Sequence, residues 1–293
     1  MYRKAIFLLL LIPALFSAQA NKRTFRQNEL GLMFGGSYYI GDLNPRNHFL
    51  YSKPAFGIFI RHSKHYRYAF RAGINYGEIY GNDALSKDPN QIERNLSFKS
   101  IVVEANGTAE FNFFDYRIGN EHDRFTLFLF AGLGVFYFNP KADLGDGNGY
   151  VALRDLKTEG QSKPYSRVQM SVPFGIGFKL NLSQKAGLSM EWGPRRTFTS
   201  YLDDVSGTYP SNVSSLDHGK NFTDRTLNSS ATPGAMRGNL STRDWYFFYS
   251  ITLNFVLPDK KNNTCHGSTG RGLKMKKNFF KQFHLSQRKS IFG

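Results

Sequence analysis

Hydrophobic and polar positions alternate with a period of two along most of this chain. Over residues 66–76, Tyr66, Tyr68, Phe70, Ala72, Ile74 and Tyr76 alternate with Arg67, Ala69, Arg71, Gly73 and Asn75. Over 100–113, Ile101, Val103, Ala105, Ala109, Phe111 and Phe113 alternate with a face holding Glu104, Asn106, Thr108, Glu110 and Asn112. Over 167–180, Val168, Met170, Val172, Phe174, Ile176, Phe178 and Leu180 alternate with Arg167, Gln169, Ser171, Pro173, Gly175, Gly177 and Lys179. Residues 30–40 set a bulky face against a mostly small one, and 55–61, 187–192 and 245–255 are shorter cases. Residues 125–138 are apolar on both faces but contain Gly132 and Gly134, and are too short for a membrane helix. Successive side chains of a strand point to opposite faces, so the pattern predicts eight strands.

Several of these strands exceed the length of about 5–6 residues typical of globular sheets. A tilted strand that crosses a bilayer needs roughly 9–11. One face is apolar along its whole length and the other carries charge. A soluble sandwich would bury the apolar face on a second sheet. A barrel in lipid turns it outward and the polar face inward.

The connections separate these two readings. Those near 41–53, 78–97, 139–164 and 202–243 are long, and those near 62–65, 114–124 and 182–186 are short. Such alternation is what short periplasmic turns and long external loops produce in an up-and-down barrel. Tyr66 and Tyr68 at one rim, Tyr76, Tyr80 and Trp245 at the other, and Phe255 back at the first fit two interfacial girdles. The reading is an all-β, eight-stranded antiparallel up-and-down transmembrane β-barrel in a bacterial outer membrane, with lipid as its surroundings. Pro194 falls in the seventh strand, where it removes a ladder donor and is expected to mark a bulge or a strand end.

Composition refines this picture. Arg3 and Lys4, an apolar run from Ile6 to Phe16 and Ala18-Gln19-Ala20 read as a signal peptide over 1–20, leaving the barrel at 21–257. Phe (28), Tyr (16) and Gly (28) are abundant, and a mean hydropathy of −0.41 does not suit a bundle of membrane helices. Cys265 has no partner for a disulfide. The net charge of +16 first suggests nucleic acid. Half of it lies in residues 258–293, which hold nine Lys/Arg and one Asp. With export, this leaves no nucleic-acid partner expected. The basic stretch reads as a disordered periplasmic tail. Its Lys274, Lys276 and Lys277 among Phe279, Phe280 and Phe283 also suit docking on an acidic partner or on lipid headgroups.

Inward polar faces place Arg67, Arg71, Glu104, Glu110, Arg167, Lys179 and Glu191 in the lumen, with Arg61, Lys99 and Arg195 as further candidates. Eight strands enclose little more than their own side chains. An internal ion-pair network is therefore expected, and a narrow pore with excess cations is the alternative. Catalytic, cofactor and metal sites are not expected. The histidines fall in turns, loops and tail without metal-ligand spacing. His48 and His218 are the candidates for a loop Ser/His site of the kind lipid-modifying enzymes use. Residues 143–149 resemble a calcium loop but lack its Glu at position 12 and its alternating ligands, and read as a flexible loop.

Several short strings then define a resemblance. They are Glu29-Leu-Gly; Gly41-Asp-Leu-Asn-Pro45; Arg94-Asn-Leu-Ser-Phe98; Phe130-Ala-Gly-Leu-Gly-Val-Phe136 with Phe138-Asn-Pro-Lys-Ala142; Thr158-Glu-Gly-Gln161; and Asp244-Trp-Tyr246. The most specific runs from Thr197 to Tyr209 and contains Tyr201, Leu202, Asp203, Asp204, Val205, Ser206 and Gly207. Together they resemble the PorG family of type IX secretion outer-membrane proteins, the DUF6089-like barrels. That resemblance implies a non-enzymatic anchor that contacts the periplasmic ring proteins of a secretion machine supporting protein export and gliding motility.

Overall fold

The computed structural model describes residues 24–258, apart from positions 146, 148, 212–215, 218, 219, 229 and 230. The expected signal peptide and all of the tail except Pro258 lie outside the described residues. Eight long strands form the body: β1 Thr24–Ile40, β2 Lys53–His65, β3 Tyr68–Asn82, β4 Ser97–Asn112, β5 Phe125–Ala142, β6 Val168–Asn181, β7 Ala186–Thr197 and β8 Trp245–Val256. Each pairs antiparallel with its neighbours in sequence, and β1 pairs β8 from Glu29↔Val256 to Ile40↔Trp245. The ring is therefore closed, and every strand has a partner on both sides.

The faces are inverted relative to a soluble sheet. Phe34, Ile58, Ile60, Phe70, Ile74, Leu133, Met170, Ile176, Met190 and Ile251 are exposed on the outside, while Arg61, Arg71, Glu104, Glu110, Lys179 and Glu191 are buried inside. Lipid supplies no hydrogen bonds to a backbone, so a sheet crossing it must close. The molecule is a transmembrane barrel of the outer membrane, and no helix among the described residues is long and apolar enough to cross a membrane.

The strands are longer than the alternation indicated. β1 begins at Thr24, which brings Glu29 inside, and β5 runs on to Ala142, where Val151–Ala152 pairs with it. Tyr66 lies in the turn before β3. Pro194 marks neither a bulge nor a strand end. The β6–β7 ladder runs through Pro173↔Arg195, lapses for two residues and resumes at Ile176↔Trp192 in the same register. On its other edge Pro194 stays paired with Phe247. The missing N–H opens one side of the ladder and leaves the register unchanged.

The outer girdle is a packed cluster. Tyr38 points outward yet is fully buried, because Phe247 stacks on it at 4.6 Å and Phe49 from the first loop tilts over it at 5.0 Å. Its hydroxyl accepts from Trp192 Nε1 at 2.9 Å and lies 3.1 Å from His48 Nδ1. Phe49 and Tyr51 both adopt left-handed backbone conformations (φ 62° and 54°), which turn this loop back onto the barrel wall.

Ile74 sits in mid-strand on the lipid face with 56% of its surface exposed. We expect Ile74→Arg to destabilise the folded barrel by about 2–4 kcal/mol. Urea titration in lipid vesicles, read by the heat-dependent gel shift of the folded form, measures it. An unchanged midpoint would mean that the faces are assigned the wrong way round.

Candidate functional site

The inner half of the lumen is an ion network centred on Glu110. Lys179 Nζ lies 2.6 Å from Glu110 Oε2, Arg61 Nε 2.9 Å from the same oxygen, and Arg71 Nε 3.4 Å from Oε1. Arg61 also reaches Glu29 at 2.8 Å, and Arg71 reaches Glu191 at 2.6 Å. The cations rest on rings as well: Arg71 lies over Phe59 and Phe130, and Lys179 over Phe128. One level further out, Glu104 accepts from the Tyr246 hydroxyl at 2.6 Å and from Asn75 Nδ2 at 3.0 Å, and Arg195 Nε lies 3.5 Å away. The strands fix these positions, because each residue occupies an inward place in a continuous ladder.

Three luminal assignments are corrected. Arg67 lies in the periplasmic turn before β3 and pairs with Asp115, both partly exposed. Arg167 precedes β6 at the external end and pairs with Asp155. Lys99 occupies an outward position of β4 and pairs with Glu78. For Arg67 and Arg167, alternation counted one residue past a strand end no longer reports a face, whereas Lys99 lies within β4 in step with the outward Ile101 and Val103. Nor do cations outnumber anions. Arg61, Arg71, Lys179 and Arg195 face Glu29, Glu104, Glu110 and Glu191, four of each, all buried. Glu29 was missed because β1 was read as starting at Leu30, although it lies in step with the inward Gly31 and Met33.

The outer half of the lumen is apolar. Met33, Tyr39, Ile79, Phe98, Val102, Phe136, Phe138 and Phe248 meet Leu43, Leu96, Leu153, Leu202, Val205 and Phe222 from the external loops. At the other mouth the turn 113–124 folds under the barrel and buries Tyr116 and Ile118. Gln27 Nε2 donates to Ile118 O at 3.1 Å, and Asn181 Nδ2 holds three carbonyls of the same turn.

Most of the strings that carry the resemblance converge on the external cap, while Glu29-Leu-Gly and the string 130–136 lie in β1 and β5. Leu202, Asp203, Asp204, Val205, Ser206 and Gly207 are all buried, and Tyr201 stacks on Tyr165 at 4.9 Å. Asp204 takes a left-handed conformation (φ 67°), and its carboxylate accepts from Thr158 at 2.5 Å and Tyr165 at 2.7 Å. Glu159 accepts from the Ser206 and Gly207 amides at 2.8 and 2.9 Å and pairs with Arg237, which also donates to Asp204 O. The helix α1 Pro89–Arg94, capped by Asp88, delivers Arg94 to both oxygens of Asp83 and to the carbonyls of Asp42 and Arg237. Thus the second, third and fourth loops lock one another, and the first is held through Asp42.

Asp42, Asp203 and Asp244 place one carboxylate oxygen each within 4.8 Å of the others. Sequence reasoning missed this trio, because its members are separated by up to two hundred positions. Such oxygens suit a hard divalent cation. Internal donors already serve most of them: the Tyr39 hydroxyl and Val205 N on Asp203, Leu202 N on Asp244, and Asn239 N on Asp42. Burial and mutual repulsion push Asp203 and Asp244 well above the usual carboxylate range, and burial raises Asp42 to about 6. Asp42 Oδ2 has no hydrogen-bond partner. Burial likewise raises Asp204 to about 6 against the opposing pull of Arg237. Of the catalytic candidates, His48 is engaged with Tyr38 and neighbouring rings. His218 lies outside the described residues, as do parts of 143–149.

The sequence model of the Domain of unknown function family DUF6089 matches residues 3–268, and the chain belongs to that family. No curated protein matches it. Among solved structures, the attachment invasion locus protein Ail of Yersinia pestis, determined with the heparin analogue sucrose octasulfate, is similar at 8% identity. It covers 79% of this chain and 99% of its own, with a TM-score of 0.39. The N-terminal β-barrel domain of OprF from Pseudomonas aeruginosa is similar at 9% identity, covering 79% and 100%, with a TM-score of 0.33. Neisserial surface protein A is similar at 8% identity, covering 78% and 96%, with a TM-score of 0.38. These values carry no argument about function, and the membrane assignment rests on the inverted faces and closed ladder described above.

Two outcomes follow. Glu110→Ala leaves three buried cations without their shared partner and should cost about 3–5 kcal/mol in urea unfolding, whereas Arg67→Ala at the exposed rim should cost less than about 1 kcal/mol. Equal effects would contradict the network. The cap should also respond to pH. Asp42 and Asp204 bind protons more tightly folded than unfolded, so their contribution is fully present below about 4 and is lost as pH rises through about 6. Amide exchange at Leu202, Val205 and Ser206, corrected for intrinsic rates, should therefore show more protection at pH 5 than at pH 7.5. The reverse order would contradict the assignment.

Proposed function

We propose that this barrel is a non-enzymatic structural component of a type IX-like protein secretion and gliding machine, anchored in the outer membrane and contacting a periplasmic ring. The observation that supports this most is the filled lumen. From Gln27 and Ile118 at the periplasmic mouth, through the Glu110 network, to Leu202 and Val205 under the cap, described side chains occupy the interior. A barrel filled in this way acts through its outer surfaces. The string around Asp203 and Asp204 supplies the resemblance to the secretion-linked family.

The periplasmic face offers a contact surface. The turns 113–124 and 182–185 frame a concavity of about 420 Å³ lined by Asn120, Glu121, Arg124, Leu182 and Gln184. Leu182 is exposed beside it, as are Phe113 and Phe114 at the same rim. An apolar residue in a polar frame is the composition of a protein contact.

The test is affinity capture from detergent-solubilised membranes with the full chain as bait, after chemical crosslinking. Recovery of periplasmic ring or secretion components is expected, reduced severalfold by Leu182→Asp with Arg124→Glu. Capture of no such component would contradict the proposal.

A further inference from the structure

We propose that a lysine pocket on the outer flank of the barrel binds the phosphorylated headgroup of a glycolipid in the outer leaflet. Lys99 of β4 and Lys141 of β5 are direct cross-strand partners on the lipid-facing side. Like charges directly opposite each other destabilise a sheet. Glu78 answers only one of them, with Oε2 3.0 Å from Lys99 Nζ, and Lys141 has no ion pair among the described residues. The pair therefore carries an uncompensated positive charge at a fixed place on the wall.

That place has a defined depth. On β4 the last apolar outward residue is Ile101, two positions inward of Lys99. On β5 it is Tyr137, with Asn139 between it and Lys141. Two residues of strand advance about 7 Å along its axis, or about 5 Å across the membrane at the usual barrel tilt, and the four from Tyr137 to Lys141 advance about 13 Å, or about 10 Å across it. The headgroup layer is roughly 5–8 Å thick on each side of the hydrocarbon core. Lys99 thus stands within the headgroup layer and its partner Lys141 at the outer edge of that layer, where phosphates lie, and the long loops at this end make it the external leaflet.

The two side chains also line a cavity. Lys99, Ile101, Asn139, Lys141 and Tyr150 enclose about 230 Å³, with Lys99 Nζ 5.5 Å from the Tyr150 ring centre. Asn139 lines the pocket, and its Oδ1 has no hydrogen-bond partner within the protein. Ile101 continues the pocket into the apolar belt, where acyl chains run. Cations for phosphate, an amide for a sugar hydroxyl and an apolar floor together fit a phosphorylated glycolipid.

Native mass spectrometry of the full chain in a mild detergent tests this, with lipid A bearing two phosphates as probe and the same lipid with its phosphates removed as comparison. Wild-type protein should retain the phosphorylated probe and bind the stripped one at least tenfold more weakly. Lys99→Ala with Lys141→Ala should lose tenfold or more in affinity, Lys141→Gln alone severalfold, and Lys185→Ala at the opposite rim nothing. The heat-dependent gel shift verifies that each variant is folded, and Lys141→Gln serves if the double variant is not. Equal binding of both probes, unaltered affinity in the folded variants, or displacement by millimolar inorganic phosphate would overturn the proposal.

Discussion

A strand in a bilayer has no water to satisfy its backbone, and the rest of this structure follows from that constraint. The sheet closes through β1 and β8, so no edge faces lipid. Closure with eight strands leaves an interior about as wide as the side chains that line it. The outside must then be apolar, and half of each strand's side chains point into a narrow tube remote from bulk water. Pro173 and Pro194 show how much the ladder tolerates. Each costs a local lapse in pairing, and the register survives on both sides.

Filling that tube with charge is favourable only if the charges neutralise one another. Removing an ion from water costs several kcal/mol unless excellent geometry compensates for it. Here the four cations and four carboxylates balance, and Glu110 alone contacts three cations. The network fills space and, through pairs that join β1, β2, β3, β4, β6 and β7, ties together strands distant in sequence. Above it the interior becomes apolar and merges with the loop residues of the cap, so the barrel and its external loops share one core.

The barrel was legible in the sequence because period-two alternation and the lengths of its connections are local signals. Arg71, Glu104, Glu110, Lys179 and Glu191 could be placed inside from that parity alone. Arg67 and Arg167 could not, since parity loses meaning beyond a strand end, and Lys99 shares the outward parity of Ile101 and Val103. Glu29 escaped because the small residues of β1 hide where the strand begins. The cap was not legible, because it is made by pairings such as Asp203 with Tyr39 and Glu159 with Ser206, which no local period reports. The string 201–207, the most specific part of the family resemblance, is a buried latch. Most of the residues that carry the family resemblance therefore specify how the external mouth is shut.

The paired charges, the apolar outer half and the cap together seal the interior. This seal is tested most directly by recording the purified, folded protein in planar lipid bilayers. No steady conductance above the bare membrane is expected, with one appearing only when the luminal pairs are broken, as in Glu110→Ala. A stable, ion-selective conductance from the wild-type protein would contradict it.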